Sequence, residues 1–260
     1  CIIFYALMLY KWINDLFLYQ VQPTFFYTRK DLVTWLFMQT GIHQWLLNNR
    51  SGWVLFDSLF YSMPLFYLLT YKYAAKFSPA VATIMLLINW CYVQCYTLYP
   101  SNSIEGHIAW LLFPIVFIPS NKKTFILLFE GLRYFFLYFF VSAAVWKLAQ
   151  GGLFSEEQMS GILLYQHKEL LTSSPGYWQS NFLLRLIQKP QLSYLLYLSA
   201  TLLELSFIIG FFTKKYDRLL LVLFIIFLLM DHLIMRITYY EITPLALTLM
   251  FLRRERNNTG

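Results

Sequence analysis

The amino-acid sequence predicts an all-α protein, a polytopic membrane helical bundle of about eight (7–8) transmembrane helices. Of its 260 residues, 59% are hydrophobic and only 13% are charged, whereas soluble domains are about 45–50% apolar and about 25% charged. The apolar residues form long runs that match the roughly 20 residues a helix needs to cross a bilayer. The runs lack the alternation of apolar and polar residues that is typical of a membrane β-barrel.

Eight candidate spans follow one another, and we treat residues 1–260 as a single membrane domain. The fourth and eighth are short for an upright crossing, and the eighth contains Pro244. In chain order the spans are Ile2–Val21, Gly52–Tyr71, Phe77–Tyr99, His107–Pro119, Thr124–Ala149, Gln191–Phe212, Arg218–Thr238 and Tyr239–Leu252.

Lysine and arginine are distributed unequally between the two sides of this arrangement. With eight spans, most basic residues fall in the short loops and the C-terminus, so the positive-inside rule places both termini in the cytoplasm. We expect a multi-pass protein of a bacterial inner membrane. The long connections Gln22–Ser51 and Gln150–Pro190 then face outward. Their apolar and aromatic residues predict interfacial helices near Thr34–Leu47 and Leu153–Leu171.

Composition also limits the partners. The net charge of +7 is spread over the loops without a run of five or six basic residues, so we expect no nucleic-acid partner. The four histidines and three cysteines are scattered without the spacing of a metal site, and we expect no metal. The expected partners are the lipid bilayer and other membrane protein subunits.

Charged residues inside the spans are the candidates for function. Each costs roughly 2.5–3.5 kcal/mol at a helix centre, so it pairs, faces the protein interior or serves a function. Glu204 lies in the middle of its span, and we expect it to pair with Lys147 or Arg236 or to stay protonated. Glu130 and Arg133 are three residues apart, which predicts a structural pair on one helix.

The other candidates lie towards the predicted outer side, and each has a structural alternative. Lys147 either extends to the outer headgroups or belongs to a site, and His107 either caps a helix or belongs to the same site. His232 and Arg236 are four residues apart and are expected to share a helix face. We predict that Lys147, His107 and His232 converge on a cavity below the Gln150–Pro190 connection.

Several segments, in order along the chain, resemble the HTTM (horizontally transferred transmembrane) domain shared with vitamin K-dependent γ-carboxylases. The segments are Asn14–Leu16, Ile104–Phe113 with Pro119-Ser120, Tyr138–Leu148, Leu203–Leu205, Gly210–Thr213 and Asp231-His232. The Lys-Leu and Leu-Glu pieces are also similar, more weakly, to the DoxX-like membrane proteins. Those proteins are shorter and lack a counterpart of Gly106-His107, which favours the HTTM family.

The resemblance implies a role for particular residues. In the carboxylases a membrane lysine, which would be Lys147 here, deprotonates vitamin K hydroquinone, and a histidine in the position of His107 assists. We expect no large exoplasmic domain to hold a protein substrate within residues 1–260, so glutamyl carboxylation is not the expected reaction. Quinone or lipid binding, other chemistry and a scaffolding role stay open.

Two functions from different classes follow. The first is an HTTM-type membrane protein with an outer-leaflet polar site, a quinone- or lipid-binding or carboxylase-related enzyme. Lys147 and His107 would then be catalytic, and His232, Arg236 and Glu204 would bind the ligand. The alternative is a non-catalytic membrane subunit or anchor of a larger complex, so whether the chain is an enzyme stays open.

Overall fold

A computed structural model of the chain describes residues 1–22, 32–97, 109, 112–237 and 240–251. Within these ranges every regular element is helical, which confirms the all-α prediction. The helices of seven residues or more are Ile2–Ile13, Leu32–Gln39, Ile42–Asn48, Arg50–Tyr73, Ser78–Thr97, Lys122–Ala149, Gln158–Ser173, Trp178–Ile187, Pro190–Ser206 and Asp217–Met230.

Six helical segments in the described part of the chain are long and apolar enough to cross a membrane. They coincide with the first, second, third, fifth, sixth and seventh predicted spans, and they identify an integral membrane protein. Their bounds are Ile2–Val21, Arg50–Tyr73, Ala75–Cys95, Lys122–Ala149, Pro190–Phe212 and Asp217–Met235.

The fourth and eighth predicted spans are not among these six. Most of the fourth lies outside the described residues, and its described part contains one short 3₁₀ segment, Phe113–Phe117. The eighth is divided into the short helical pieces Tyr240–Ile242, Thr243–Ala246 and Thr248–Phe251. The count of eight crossings therefore stays a prediction.

The long connections contain helices, as the sequence indicates. The Thr34–Leu47 segment forms two helices rather than one, because Gly41 between them adopts φ = +71°, a left-handed conformation that ends the first helix. The segment near Leu153–Leu171 is the helix Gln158–Ser173. A second helix of that connection, Trp178–Ile187, was missed by the sequence analysis.

The chain divides into two compact units. The first unit comprises Cys1–Leu132 and Tyr239–Leu245, and the second comprises Arg133–Thr238 and Ala246–Gly260. The Lys122–Ala149 helix begins in the first unit and continues into the second.

The first unit is organised around the buried carboxylate of Asp57. The Tyr92 hydroxyl donates a 2.6 Å hydrogen bond to it, and the Tyr19 backbone N–H donates another of 2.9 Å. Tyr92 also stacks on Phe60 with ring centroids 3.7 Å apart. The Lys11–Glu241 ion pair, 2.8 Å long, is buried in the same unit, so these two charges neutralise each other within it.

The second unit holds its helices together with aromatic packing and a buried ion pair. Phe140 stacks on Phe207 with ring centroids 4.4 Å apart. Arg133, fully buried, donates to Asp217 from Nε at 3.0 Å and from Nη2 at 2.5 Å, and Nη2 also donates to the Gly210 carbonyl at 2.8 Å. The predicted pairing of Arg133 with Glu130 is wrong, because the carboxylate that binds the guanidinium is that of Asp217.

The Arg133–Asp217 pair is expected to be indispensable for the stability of the second unit. Asp217→Asn leaves the guanidinium buried without its counter-charge, which typically costs roughly 3–5 kcal/mol. Unfolding of the purified protein in detergent micelles should therefore begin at a clearly lower temperature. The exposed Glu156→Gln variant is the matched control, and equal midpoints for both variants would contradict the assignment.

Candidate functional site

Two spans of the second unit bring Lys147 and Glu204 together. Lys147 lies in the last turn of the Lys122–Ala149 helix and Glu204 in the Pro190–Ser206 helix. The Lys147 amino group donates to both carboxylate oxygens of Glu204, at 2.7 and 2.8 Å. The predicted pairing of Glu204 with a cation inside the protein is confirmed, with Lys147 as the partner.

The position of the Lys147 amino group decides between the two roles considered for this residue. The Lys147 side chain is 26% exposed and that of Glu204 only 4%. The amino group also lies 5.5 Å from the ring centroid of Tyr197, a buried residue, within the range of a cation–π contact. Lys147 is therefore directed towards Glu204 and Tyr197 rather than away from the helices, and its depth relative to the headgroups stays a prediction.

Asp231 adds a second carboxylate to this pair. It lies close enough to Lys147 and Glu204 to interact electrostatically with both. Its Oδ2 atom is buried and has no hydrogen-bond partner among the described residues. The three groups, which we call the Lys147 cluster, thus contain one cation, two carboxylates and one buried acceptor that is available.

The helix that carries Asp231 changes its winding at this residue. The α-helix Asp217–Met230 continues as a π-helix, Asp231–Met235, and Arg236 follows in the left-handed conformation with φ = +54°. Such π segments and left-handed non-glycine residues are frequent at functional sites. Because the helix is not α-helical here, the spacing that predicted a common face for His232 and Arg236 does not apply.

Two side chains of the Gln158–Ser173 helix bind the carbonyl groups at the end of the π-helix. Gln166 donates to the Met235 carbonyl at 2.6 Å, and the Nε2 atom of buried His167 lies 2.8 Å from the Ile234 carbonyl. Burial lowers the pKa of His167, and the nearby Arg236 guanidinium lowers it too. A neutral imidazole with its proton on Nε2 satisfies this contact, so the histidine fixes the helix end.

Two open clefts adjoin this helix end. The polar cleft, of about 500 Å³, is lined by His167, Glu169 and Arg236 among other residues. The apolar cleft, of about 690 Å³, is lined mainly by apolar surface that includes Ile162, Tyr165 and Ile237. Gln166 lines both clefts, so a polar and an apolar surface lie side by side.

The structure brings only some of the predicted site residues together. Lys147 and Glu204 meet, Arg236 lines the polar cleft, and His232 is exposed on the π-helix. His107 lies outside the described residues, so the convergence of Lys147, His107 and His232 stays a prediction. In the described part of the chain, no group of three His, Cys, Asp or Glu residues is arranged to hold a metal ion.

Two residues that organise this region, His167 and Asp217, are not among those predicted from the sequence. His167 lies in a connection rather than a span, and nothing local predicts that its ring contacts a backbone carbonyl 67 residues away. Asp217 stands just before the predicted seventh span and was not counted with the charges of the spans. Its position directly before a strongly apolar run could have indicated that its charge needs a partner inside the protein.

Comparison with models of protein families, with curated protein sequences and with solved structures finds no match. The resemblance to the HTTM domain therefore stays a prediction.

Proposed function

We propose that this membrane protein binds a small amphipathic molecule bearing a hydroxyl group, such as a hydroquinone, at the Lys147 cluster. On this proposal the chain is of the HTTM type, and the ligand lies in the outer half of the membrane. The observation that carries the proposal is the buried Oδ2 atom of Asp231, which lacks a hydrogen-bond donor among the described residues.

The unpaired Oδ2 atom of Asp231 favours a ligand that carries a hydrogen-bond donor. Leaving a buried polar atom unpaired costs about 1–3 kcal/mol, so a group that donates to Oδ2 gains that free energy on binding. An oxidised quinone has only carbonyl acceptors, whereas a hydroquinone or a lipid alcohol has an O–H donor. The Lys147 ammonium has three N–H donors, two of which serve Glu204, and the third suits the oxygen of the same hydroxyl.

This arrangement supports a proton transfer in which Lys147 is not the base. Both carboxylate oxygens of Glu204 already bind the Lys147 amino group, so this group is not the available base. Asp231 is the better acceptor: the ligand O–H proton moves to Oδ2, and the O–H bonding electrons stay on the oxygen. The ammonium of Lys147 then stabilises the resulting oxyanion, as preorganised cations do in dry sites. The proposal thus keeps Lys147 in the site but changes the role that the family resemblance implies.

A non-catalytic membrane subunit or anchor is the second candidate, and one observation favours it. The Lys147–Glu204 pair is complete in itself, with both carboxylate oxygens bonded to one amino group. Such a pair joins two spans without any ligand. On this alternative Asp231 takes no ligand, and its replacement affects only stability.

The proposed topology has eight crossings, with both termini in the cytoplasm of a bacterium. The six candidate helices account for most of these crossings, and the excess of Lys and Arg supports the orientation. The Gln150–Pro190 connection then lies on the outer face.

Cysteine labelling tests this orientation. In a variant without the three native cysteines, Lys168→Cys should react with a membrane-impermeant maleimide in intact cells. Gly260→Cys should react only after permeabilisation. The opposite pattern would reverse the orientation and move the Lys147 cluster to the cytoplasmic half.

Replacing Asp231 by leucine tests the ligand site. Asp231→Leu should weaken binding of a short-chain hydroquinone, kept reduced, by about tenfold or more, because one charge-assisted hydrogen bond is lost. Without ligand the variant should unfold at the same or a higher temperature, because a buried atom without a partner is removed. Binding is measured by tryptophan fluorescence in nanodiscs and unfolding by scanning calorimetry.

The controls separate a site from a structural pair. Glu156→Leu removes an exposed carboxylate of the Gln150–Pro190 connection and should leave binding unchanged. The oxidised quinone should bind more weakly than the hydroquinone to the unsubstituted protein. Equal hydroquinone affinity of Asp231→Leu and the unsubstituted protein would reject the site and leave the subunit function as the better account.

A further inference from the structure

We infer that the polar and apolar clefts of the second unit form one binding site for a zwitterionic aminophospholipid of the phosphatidylethanolamine type. The polar cleft takes the headgroup and the apolar cleft takes the beginning of an acyl chain. This inference does not rest on ligand binding at the Lys147 cluster.

Two opposite charges in the polar cleft point to a zwitterion. Arg236 and Glu169 both line it and both are exposed. Among the residues that the structure describes, neither side chain forms an ion pair within 4.0 Å. A guanidinium and a carboxylate that share a cleft without pairing suit a ligand that carries both charges. The guanidinium binds the phosphate, and the carboxylate accepts hydrogen bonds from the ammonium.

The position of Arg236 is fixed by the protein and not by the ligand. Gln166 and His167 bind the carbonyls of the two residues before it, at 2.6 and 2.8 Å. Arg236 itself adopts φ = +54°, a conformation that is costly for a non-glycine residue and persists only where the surroundings impose it. The backbone that carries the guanidinium is therefore held beside the cleft in advance of binding.

The adjoining apolar cleft explains why the ligand is a lipid rather than a soluble zwitterion. It shares Gln166 with the polar cleft, and the residue after Arg236, Ile237, lines it. Ile162 and Tyr165 of the Gln158–Ser173 helix add apolar surface of the kind that an acyl chain covers, and Ser155, Glu157 and Gln158 line the same cleft. A molecule that fills both clefts must have a charged head directly joined to an apolar chain.

The clefts also lie next to the ends of candidate membrane spans, and span ends are where phospholipid headgroups are expected. The Gln158–Ser173 helix follows the end of the Lys122–Ala149 span, and its Gln166 side chain bonds the last residue of the Asp217–Met235 span. The clefts thus lie at the ends of two candidate spans. Tyr165, Tyr177 and Trp178 are exposed in the same connection, as is typical of an interfacial aromatic belt.

Native mass spectrometry of the delipidated protein tests the site with three phospholipids of identical acyl chains. Phosphatidylethanolamine should bind more tightly than phosphatidylcholine, whose methylated ammonium cannot donate hydrogen bonds to Glu169. It should also bind more tightly than phosphatidylglycerol, which has no cation. Arg236→Gln should weaken phosphatidylethanolamine binding by about tenfold or more, the worth of one charge-assisted contact. Glu169→Gln should remove the preference over phosphatidylcholine.

Matched variants make the result decisive. Arg185→Gln and Glu156→Gln alter exposed charges of the same connection outside both clefts, and neither should change lipid binding. Unchanged phosphatidylethanolamine binding by Arg236→Gln, or a preference that survives Glu169→Gln, would overturn the inference. Equal binding of phosphatidylglycerol and phosphatidylethanolamine would overturn it too, because the cleft would then recognise only an anion. Asp231→Leu should leave lipid binding intact, so the two proposed sites succeed or fail separately.

Discussion

The free-energy cost of a charge inside the hydrocarbon region is the constraint on which the rest of the structure depends. A lone charge there is expensive, so it must be paired within the protein. Lys11 binds Glu241 in the first unit, and Arg133 binds Asp217 in the second. Each pair joins segments distant in sequence, so the same contacts that neutralise the charges also fix which helices are neighbours within each unit.

The Lys147 cluster differs from the other pairs because its charges do not cancel. Glu204 satisfies Lys147, and Asp231 remains with a buried oxygen that has no donor in the described chain. Evolved proteins keep such an uncompensated group where it serves a function more readily than where it serves stability. The helix changes from α to π at Asp231, the residue with the unpaired oxygen. A change of helical winding alters the direction of a side chain relative to the preceding turns.

The sequence predicts the helical class and six of the spans because both depend on long apolar runs, a local property. It also predicts that Glu204 needs a cation, since a mid-span carboxylate has few other solutions. It does not predict which cation binds it, nor that Asp217 binds Arg133, because those choices depend on how distant helices pack. The sequence does not predict the π-helix or the left-handed conformation of Arg236 either. Both are held by contacts from Gln166 and His167, which lie about 70 residues earlier in the chain.

We propose that the Asp231 carboxylate is the open acceptor of the second unit and receives a hydrogen bond from the ligand hydroxyl. Infrared difference spectroscopy of the protein in nanodiscs, recorded before and after addition of a short-chain hydroquinone, tests it most directly. We expect a ligand-induced change in a carboxyl band that is absent in Asp231→Asn and present in Glu156→Gln. A difference spectrum with the same carboxyl bands in the unsubstituted protein and Asp231→Asn would contradict it.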